Sequence, residues 1–276
     1  MFTKAIRYVM AIVAILGVGY VAGVQTPTET PQVTPTAYET TPGPTGSGVL
    51  GDWSAQSHGL YCFQPGSTPD TTYTRATKAG NPVSSASMAC QGEDARIYGD
   101  SITFGGKSAL AAEFNALGYT LYVDAWSGRP TTPAVDALVA ETVLPQWVIM
   151  AVGTNDIFNS SVMGAQVQRA ENFIAAYNAE HGTNVQLFWV DVQCTRWKQS
   201  DVIQRNDQRN SMAVNLAIYK RIPIDHVVSI AGRFADNPSL LGTYLLDGTH
   251  YKAGAGYAYW AAFIRGWLQS FGGLKK

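Results

Sequence analysis

Charge is scarce in this chain. Asp, Glu, Lys and Arg make up 14% of its 276 residues, against roughly 25% in an average soluble domain. The signs nearly cancel, 19 basic against 20 acidic, for a formal net charge of −1. Without a basic excess the chain lacks the electrostatic footprint that neutralises phosphate, so nucleic acid is excluded as a partner. It is not a disordered polyelectrolyte either, because 46% of its residues are hydrophobic and disorder needs low hydrophobicity or high net charge. Three cysteines are too few for a disulfide-built miniprotein. No two of them have ligand spacing and the four histidines are scattered, so no metal is expected. No Gly-x-Gly-x-x-Gly follows a strand-like run, so no cofactor is expected. What remains is one globular domain with a weakly charged surface, which suits an extracytoplasmic setting.

The N-terminus supports that setting. Lys4 and Arg7 precede an uncharged, mostly apolar run over residues 8–24. A positive flank, an apolar stretch and the small residues Ala22 and Gly23 form the layout of an export signal. The run is also at the short edge of what spans a bilayer. Residues 1–24 are therefore read as a signal peptide or an N-terminal membrane anchor, with the remaining chain outside the cytoplasm in either case. A buried core helix is the alternative, and the following segment argues against it. Residues 25–48 repeat Pro and Thr and hold few hydrophobic residues. Such a segment buries too little surface to offset its ordering entropy. It reads as a tether holding the domain away from a membrane or wall.

Residues 49–94 are rich in Gly, Ser, Thr and Pro without sustained periodicity, and are expected to form an irregular cap. Cys62 and Cys90 lie here, and an exported protein meets oxidising conditions. A Cys62–Cys90 bridge is the first expectation, leaving Cys194 single; the other pairings stay open. From residue 95 onward, strand-like and helix-like segments alternate. Strands are expected over 95–98, 119–126, 146–152, 185–192 and 226–230. Helices are expected over 107–117, 163–181, 205–221 and 253–271. Alternation with near-continuous apolar strands signals a parallel sheet covered by helices on both faces. In such sheets the ligand site lies beyond the carboxyl ends of the strands.

Those ends carry the notable polar residues. They are Gly99-Asp100-Ser101-Ile102-Thr103, Gly128-Arg129 and Gly153-Thr154-Asn155-Asp156, with Asp247-Gly248-Thr249-His250 before the last helix. Each run alone is weak, since Gly-Asp-Ser is commonly just a turn and Asn or Asp commonly caps a helix. Together, in this order, they resemble the four blocks of the SGNH (GDSL-type) hydrolases, with the Gly128 block the least specific. The resemblance covers residues 95–271. It implies a flavodoxin-like α/β/α sandwich with a central, mainly parallel sheet. It also implies a Ser–His–Asp esterase site whose oxyanion hole draws on three blocks.

The residues suit that chemistry on their own terms. An alcohol is a poor nucleophile at neutral pH and needs a base within hydrogen-bond reach. Ser101 stands where its hydroxyl can project into solvent, and His250 is the available imidazole. Asp247, three residues earlier, can accept the other ring N–H, fixing the tautomer and stabilising the imidazolium. Attack on an ester develops negative charge on oxygen. Candidate donors are the backbone N–H of Ser101, the backbone N–H of Gly128 and the side-chain amide of Asn155.

Other residues receive plainer roles. Asp100 is expected to organise its turn and Asp156 to cap the following helix. Asp124 is a weaker candidate for the His250 partner. His58, His181 and His226 are expected to be surface or structural, and Trp189, Trp197, Tyr251, Tyr257 and Trp260 mostly core. Arg196 and Trp197 are also candidates for the substrate rim; Arg129 is read first as solvated surface and second as a contact for an anionic or sugar group. Asn159-Ser160-Ser161 matches a glycosylation sequon.

The expectation is an exported serine esterase, acting as a monomer on ester-linked acyl groups of a cell-envelope or other polysaccharide, with a lipid ester as the rival substrate. A lipase, thioesterase or O-acyltransferase would use the same residues. A non-catalytic glycan-binding surface or virion module is the alternative of another class, since fold does not fix function.

Overall fold

The computed structural model describes residues 59–66, 72–74, 92–157 and 159–275. The expected signal or anchor over 1–24, the linker over 25–48, His58 and Cys90 lie outside the described residues. Among the described residues, no helix is long and apolar enough to cross a membrane.

The elements run β1 (Gly59–Phe63), β2 (Thr72–Thr74), β3 (Ala95–Gly99), α1 (Ser101–Asn115), β4 (Leu121–Ala125), α2 (Thr131–Val139) and β5 (Trp147–Ala151). They continue with α3 (Met163–His181), β6 (Gln186–Val190), α4 (Asp201–Tyr219), β7 (Val227–Val228), α5 (Ile230–Asp236), α6 (Ser239–Tyr244) and α7 (Ala255–Phe271). A single sheet has the order β2-β1-β4-β3-β5-β6-β7. Strands β4, β3, β5, β6 and β7 are mutually parallel, while β1 pairs antiparallel with both β4 and β2. Taken alone, the parallel strands follow the flavodoxin-like order 2-1-3-4-5. The fold is an α/β sandwich, as the alternation of apolar strands implied.

Strand β5 shows why the sheet is buried on both faces. All five of its residues, Trp-Val-Ile-Met-Ala, are buried. Trp147, Ile149 and Ala151 join a core cluster with Leu110 and Phe114 of α1 and Trp260, Ile264 and Leu268 of α7. Val148 and Met150 face the opposite cluster, with Leu138 of α2, Val167 and Ile174 of α3, and Val214 and Ile218 of α4. Alternate residues of a strand point to opposite faces, so a continuous apolar run is needed to fill two cores.

Several expectations are corrected. The segment 49–94 is not wholly an irregular cap, because β1 and β2 extend the sheet past β4. Its composition gives no alternation, so backbone pairing to β4 rather than patterning places β1. Helix α1 begins at Ser101 rather than at residue 107. The pair Gly105-Gly106 hid its first turns. These glycines are there because α7 packs onto them: a Cβ on Gly105 would stand 2.2 Å from the Tyr257 hydroxyl, and one on Gly106 2.8 Å from the Trp260 ring. Helix α2 was not expected at all. The last expected strand shrinks to Val227–Val228, since Ile230 already starts α5.

Candidate active site

The sheet order fixes where the polar blocks meet. Strand β3 lies between β4 and β5, and the chain leaves β3 toward one edge and returns to pair on its other side. That is the topological switch point, where loops leave a crevice beyond the strand ends. Ser101 follows β3, Gly128 follows β4 and Asn155 follows β5.

Asp100 ends the β3 turn and caps α1, its side chain accepting the Ile102 N–H at 2.9 Å. Ser101 is therefore the first helical residue, whose N–H has no acceptor within the helix. Its Oγ lies 3.0 Å from His250 Nε2, and His250 Nδ1 lies 2.9 Å from Asp247 Oδ2. The other oxygen of Asp247 accepts the backbone N–H of His250 at 2.7 Å and that of Thr249 at 3.0 Å. Burial pushes the Asp247 carboxyl up, but the His250 ring and these two backbone donors outweigh it and hold the group below its ordinary value. Serine hydroxyl, imidazole and carboxylate thus form one hydrogen-bonded row.

Of the expected oxyanion donors, Asn155 is tied to a chain neighbour of each of the other two. Asn155 Nδ2 donates to the Arg129 carbonyl at 3.1 Å and faces Asp100 Oδ2 at 3.4 Å. The Asn155 side chain therefore spans the loops after β3 and β4. Gly128 is exposed, with φ +77°, a conformation that excludes most side chains.

Arg129 departs from both expectations for it. It is fully buried, so it presents nothing to a substrate. Its guanidinium donates to the Asp124 carbonyl at 2.9 Å, to the Asp124 carboxylate at 3.1 Å and to the Pro133 carbonyl at 3.1 Å. It also lies 3.7 Å over the Trp126 ring. Asp124 is thereby committed to Arg129 and not to His250. The cluster pins the turn that carries Gly128. Asp156 is likewise corrected: it caps α2, not the following helix, accepting from the Thr131 N–H at 2.8 Å and the Thr131 hydroxyl at 2.7 Å. The loops after β4 and β5 meet at the switch point, which a linear reading cannot anticipate.

Arg196 and Trp197 sit against the Asp247–His250 loop. The Trp197 N–H donates to the Asp247 carbonyl and the Thr195 N–H to the Gly248 carbonyl, both at 3.0 Å. Arg196 is bidentate on buried Asp207, at 2.7 and 2.9 Å, which fixes this segment to α4. Their contacts make them supports of the loop, a role the sequence reading missed. His181 stacks on Tyr177 and His226 on Phe188, each with Nδ1 at a backbone carbonyl, as expected of structural histidines. Cys194 is a free, buried thiol, 3.2 Å from the Thr249 hydroxyl.

No protein-family profile and no curated protein matches the chain. Solved structures do. The C-terminal catalytic domain of peptidoglycan O-acetyltransferase A from Streptococcus pneumoniae is 15% identical, with a TM-score of 0.44 over 66% of this chain and 95% of that one. A GDSL-like lipase from Bacteroides thetaiotaomicron is 18% identical, with a TM-score of 0.46 over 64% and 87%. An acetylxylan esterase from Geobacillus stearothermophilus is 17% identical, with a TM-score of 0.42 over 66% and 94%. The structural neighbours thus include GDSL-type hydrolases, the group whose motif blocks the sequence resembles, at low identity.

Proposed function

We propose that this chain is an exported serine esterase that hydrolyses ester-linked acyl groups on polysaccharide. The observation that carries the reading is the unbroken row from Ser101 Oγ through the His250 ring to Asp247. Both distances fall in the range expected of a nucleophile held by its base and of a base held by its orienting group.

His250 Nε2 takes the Ser101 proton as Oγ attacks the ester carbonyl carbon. The carbonyl oxygen becomes anionic and is met by the N–H groups of Ser101 and Gly128 and by the Asn155 amide. His250 then returns the proton to the departing alcohol as the C–O bond breaks, leaving an acyl group on Ser101. Water, deprotonated by the same ring, then attacks the acyl carbon; as the bond to Oγ breaks, the ring returns that proton to Ser101 and the acid leaves. Asp247 stays ionised throughout and stabilises the imidazolium. The polysaccharide part rests on residues 1–48: an enzyme tethered outside the membrane meets glycans first.

The test uses a fluorophosphonate probe, p-nitrophenyl acetate and acetylated polysaccharide. The protein is expected to label, release p-nitrophenol and release acetate, with all three lost in Ser101→Ala. A protein that neither labels nor turns over any ester is a binding module, and the catalytic reading fails. Acetate release from the small ester but not from the polysaccharide removes only the glycan assignment.

A further inference from the structure

Asp100 touches two working parts of the site at once. Its Oδ1 accepts the Ile102 N–H and so fixes the first turn of α1, where Ser101 stands. Its Oδ2 faces the side-chain amide of Asn155 at 3.4 Å. The residue is 1% exposed, so bulk water does not compete for either contact. The Asn155 amide has two hydrogens. One is spent on the Arg129 carbonyl at 3.1 Å, which anchors the group to the Gly128 turn. The other points to Asp100 over a distance long enough to make a weak bond. The two contacts fix the amide plane, and the weak one leaves its hydrogen able to be shared with an oxyanion as a three-centre bond without moving that plane.

We propose that Asp100 is a positioning residue for the oxyanion hole, tying the Asn155 amide to the start of α1 so that Asn155 and the Ser101 N–H meet the substrate oxygen as one rigid pair. The inference rests on the esterase reading above and adds a residue to it. A cap alone would need only one oxygen. The second oxygen, which faces the Asn155 amide, places the loop after β5 on the same group. The titratable groups facing Asp100 are His250, whose positive form favours the carboxylate, Asp156, which opposes it, and Tyr257. Burial outweighs the hydrogen bonds and pushes Asp100 up to about 6. Protonation would remove the charged acceptor from the Asn155 amide.

Two measurements test this. In nuclear magnetic resonance, the Asn155 side-chain amide signals should titrate with a midpoint at about pH 6. The titration should persist in His250→Ala and vanish in Asp100→Asn. A flat response in the unsubstituted protein, or a titration that follows His250, overturns the proposal. This arm does not depend on turnover, and its first readout, the titration itself, needs no variant. In kinetics, Asp100→Asn keeps a capping oxygen but turns an NH₂ toward the NH₂ of Asn155. On p-nitrophenyl acetate, kcat should fall by roughly tenfold or more with KM little changed. In the Asn155→Ala background the same substitution should cost little, because the two residues act as a unit. An equal loss in both backgrounds makes Asp100 a helix cap only. A protein inactive on every ester sinks the esterase reading, while the amide titration still decides whether Asp100 holds Asn155.

Discussion

Asn155 and Gly248 show how differently single residues enter this site. On the proposed reading Asn155 contributes a donor without charge, so its truncation should leave the core intact and remove one contact to the developing oxyanion. Asn155→Ala should lower turnover by about a hundredfold or more, with an unchanged urea midpoint. Near-normal turnover would remove Asn155 from the oxyanion hole. Gly248 enters through its backbone instead. It has φ +88°, and a Cβ there would lie 1.7 Å from the Thr195 carbonyl oxygen and 2.7 Å from the Trp197 ring. Backbone cannot yield as a side-chain tip can, so Gly248→Ala must shift the loop that presents Asp247 and His250. A displacement near 1 Å can cost about a hundredfold in rate. Fluorophosphonate labelling of Gly248→Ala should slow on that scale, and labelling at the original rate would show that the loop adapts.

At the scale of elements, what was legible followed from local pattern. Helix α3 was readable to its last residue because its spacing is regular and a glycine closes it at Gly182, where the backbone turns left-handed. Strand β5 was readable because five apolar residues in a row suit only a doubly covered strand. The polar blocks were readable because each is a short contiguous run. Their supports were not. Asp156 finds Thr131 only once the sheet order brings their loops together, while Arg129 finds Asp124 and Trp126 only once the turn after β4 folds back, and Arg196 finds Asp207 only once the chain turns into α4. The start of α1 was hidden for a related reason, since Gly105-Gly106 is poor helix sequence made right by the helix beside it. This argues a prediction against propensity. Alanine normally stabilises a helix over glycine by about 1 kcal/mol. At Gly106 the new Cβ would stand 2.8 Å from a ring of Trp260 that is 2% exposed, and overpacking of that kind costs about 1–3 kcal/mol. Gly106→Ala should therefore lower the urea midpoint; a raised midpoint would mean that α1 and α7 pack more loosely than they stand here.

For the whole molecule, buried carboxyls give the acid side of the stability profile its particular shape. Asp100 and Asp191 are both pushed from 3.8 to about 6, chiefly by burial. Asp191 stands at the end of β6 and joins three elements. It accepts from the Tyr219 hydroxyl at 2.9 Å, the Ser229 hydroxyl at 3.2 Å and the Ala231 N–H at 2.7 Å. Because the folded protein holds these protons more tightly than the unfolded chain, their contribution is complete below about pH 4 and is lost as pH rises to about 6. Asp207 and Asp247 act in the opposite sense, since Arg196 and His250 outweigh burial and hold them below the ordinary value. Their contribution is present above that value and fades as pH falls further. A two-unit shift in a fully buried group corresponds to roughly 3 kcal/mol. The cleanest check is Asp191→Asn, whose amide oxygen can still accept from Ala231 while its NH₂ donates to Tyr219. Urea unfolding of the unsubstituted protein should lose more stability than the variant between pH 4 and 6, and the two profiles should run parallel above pH 6. Parallel profiles across the whole range would mean that Asp191 is ionised in the folded protein even at pH 4, and that its three donors rather than its burial decide its charge.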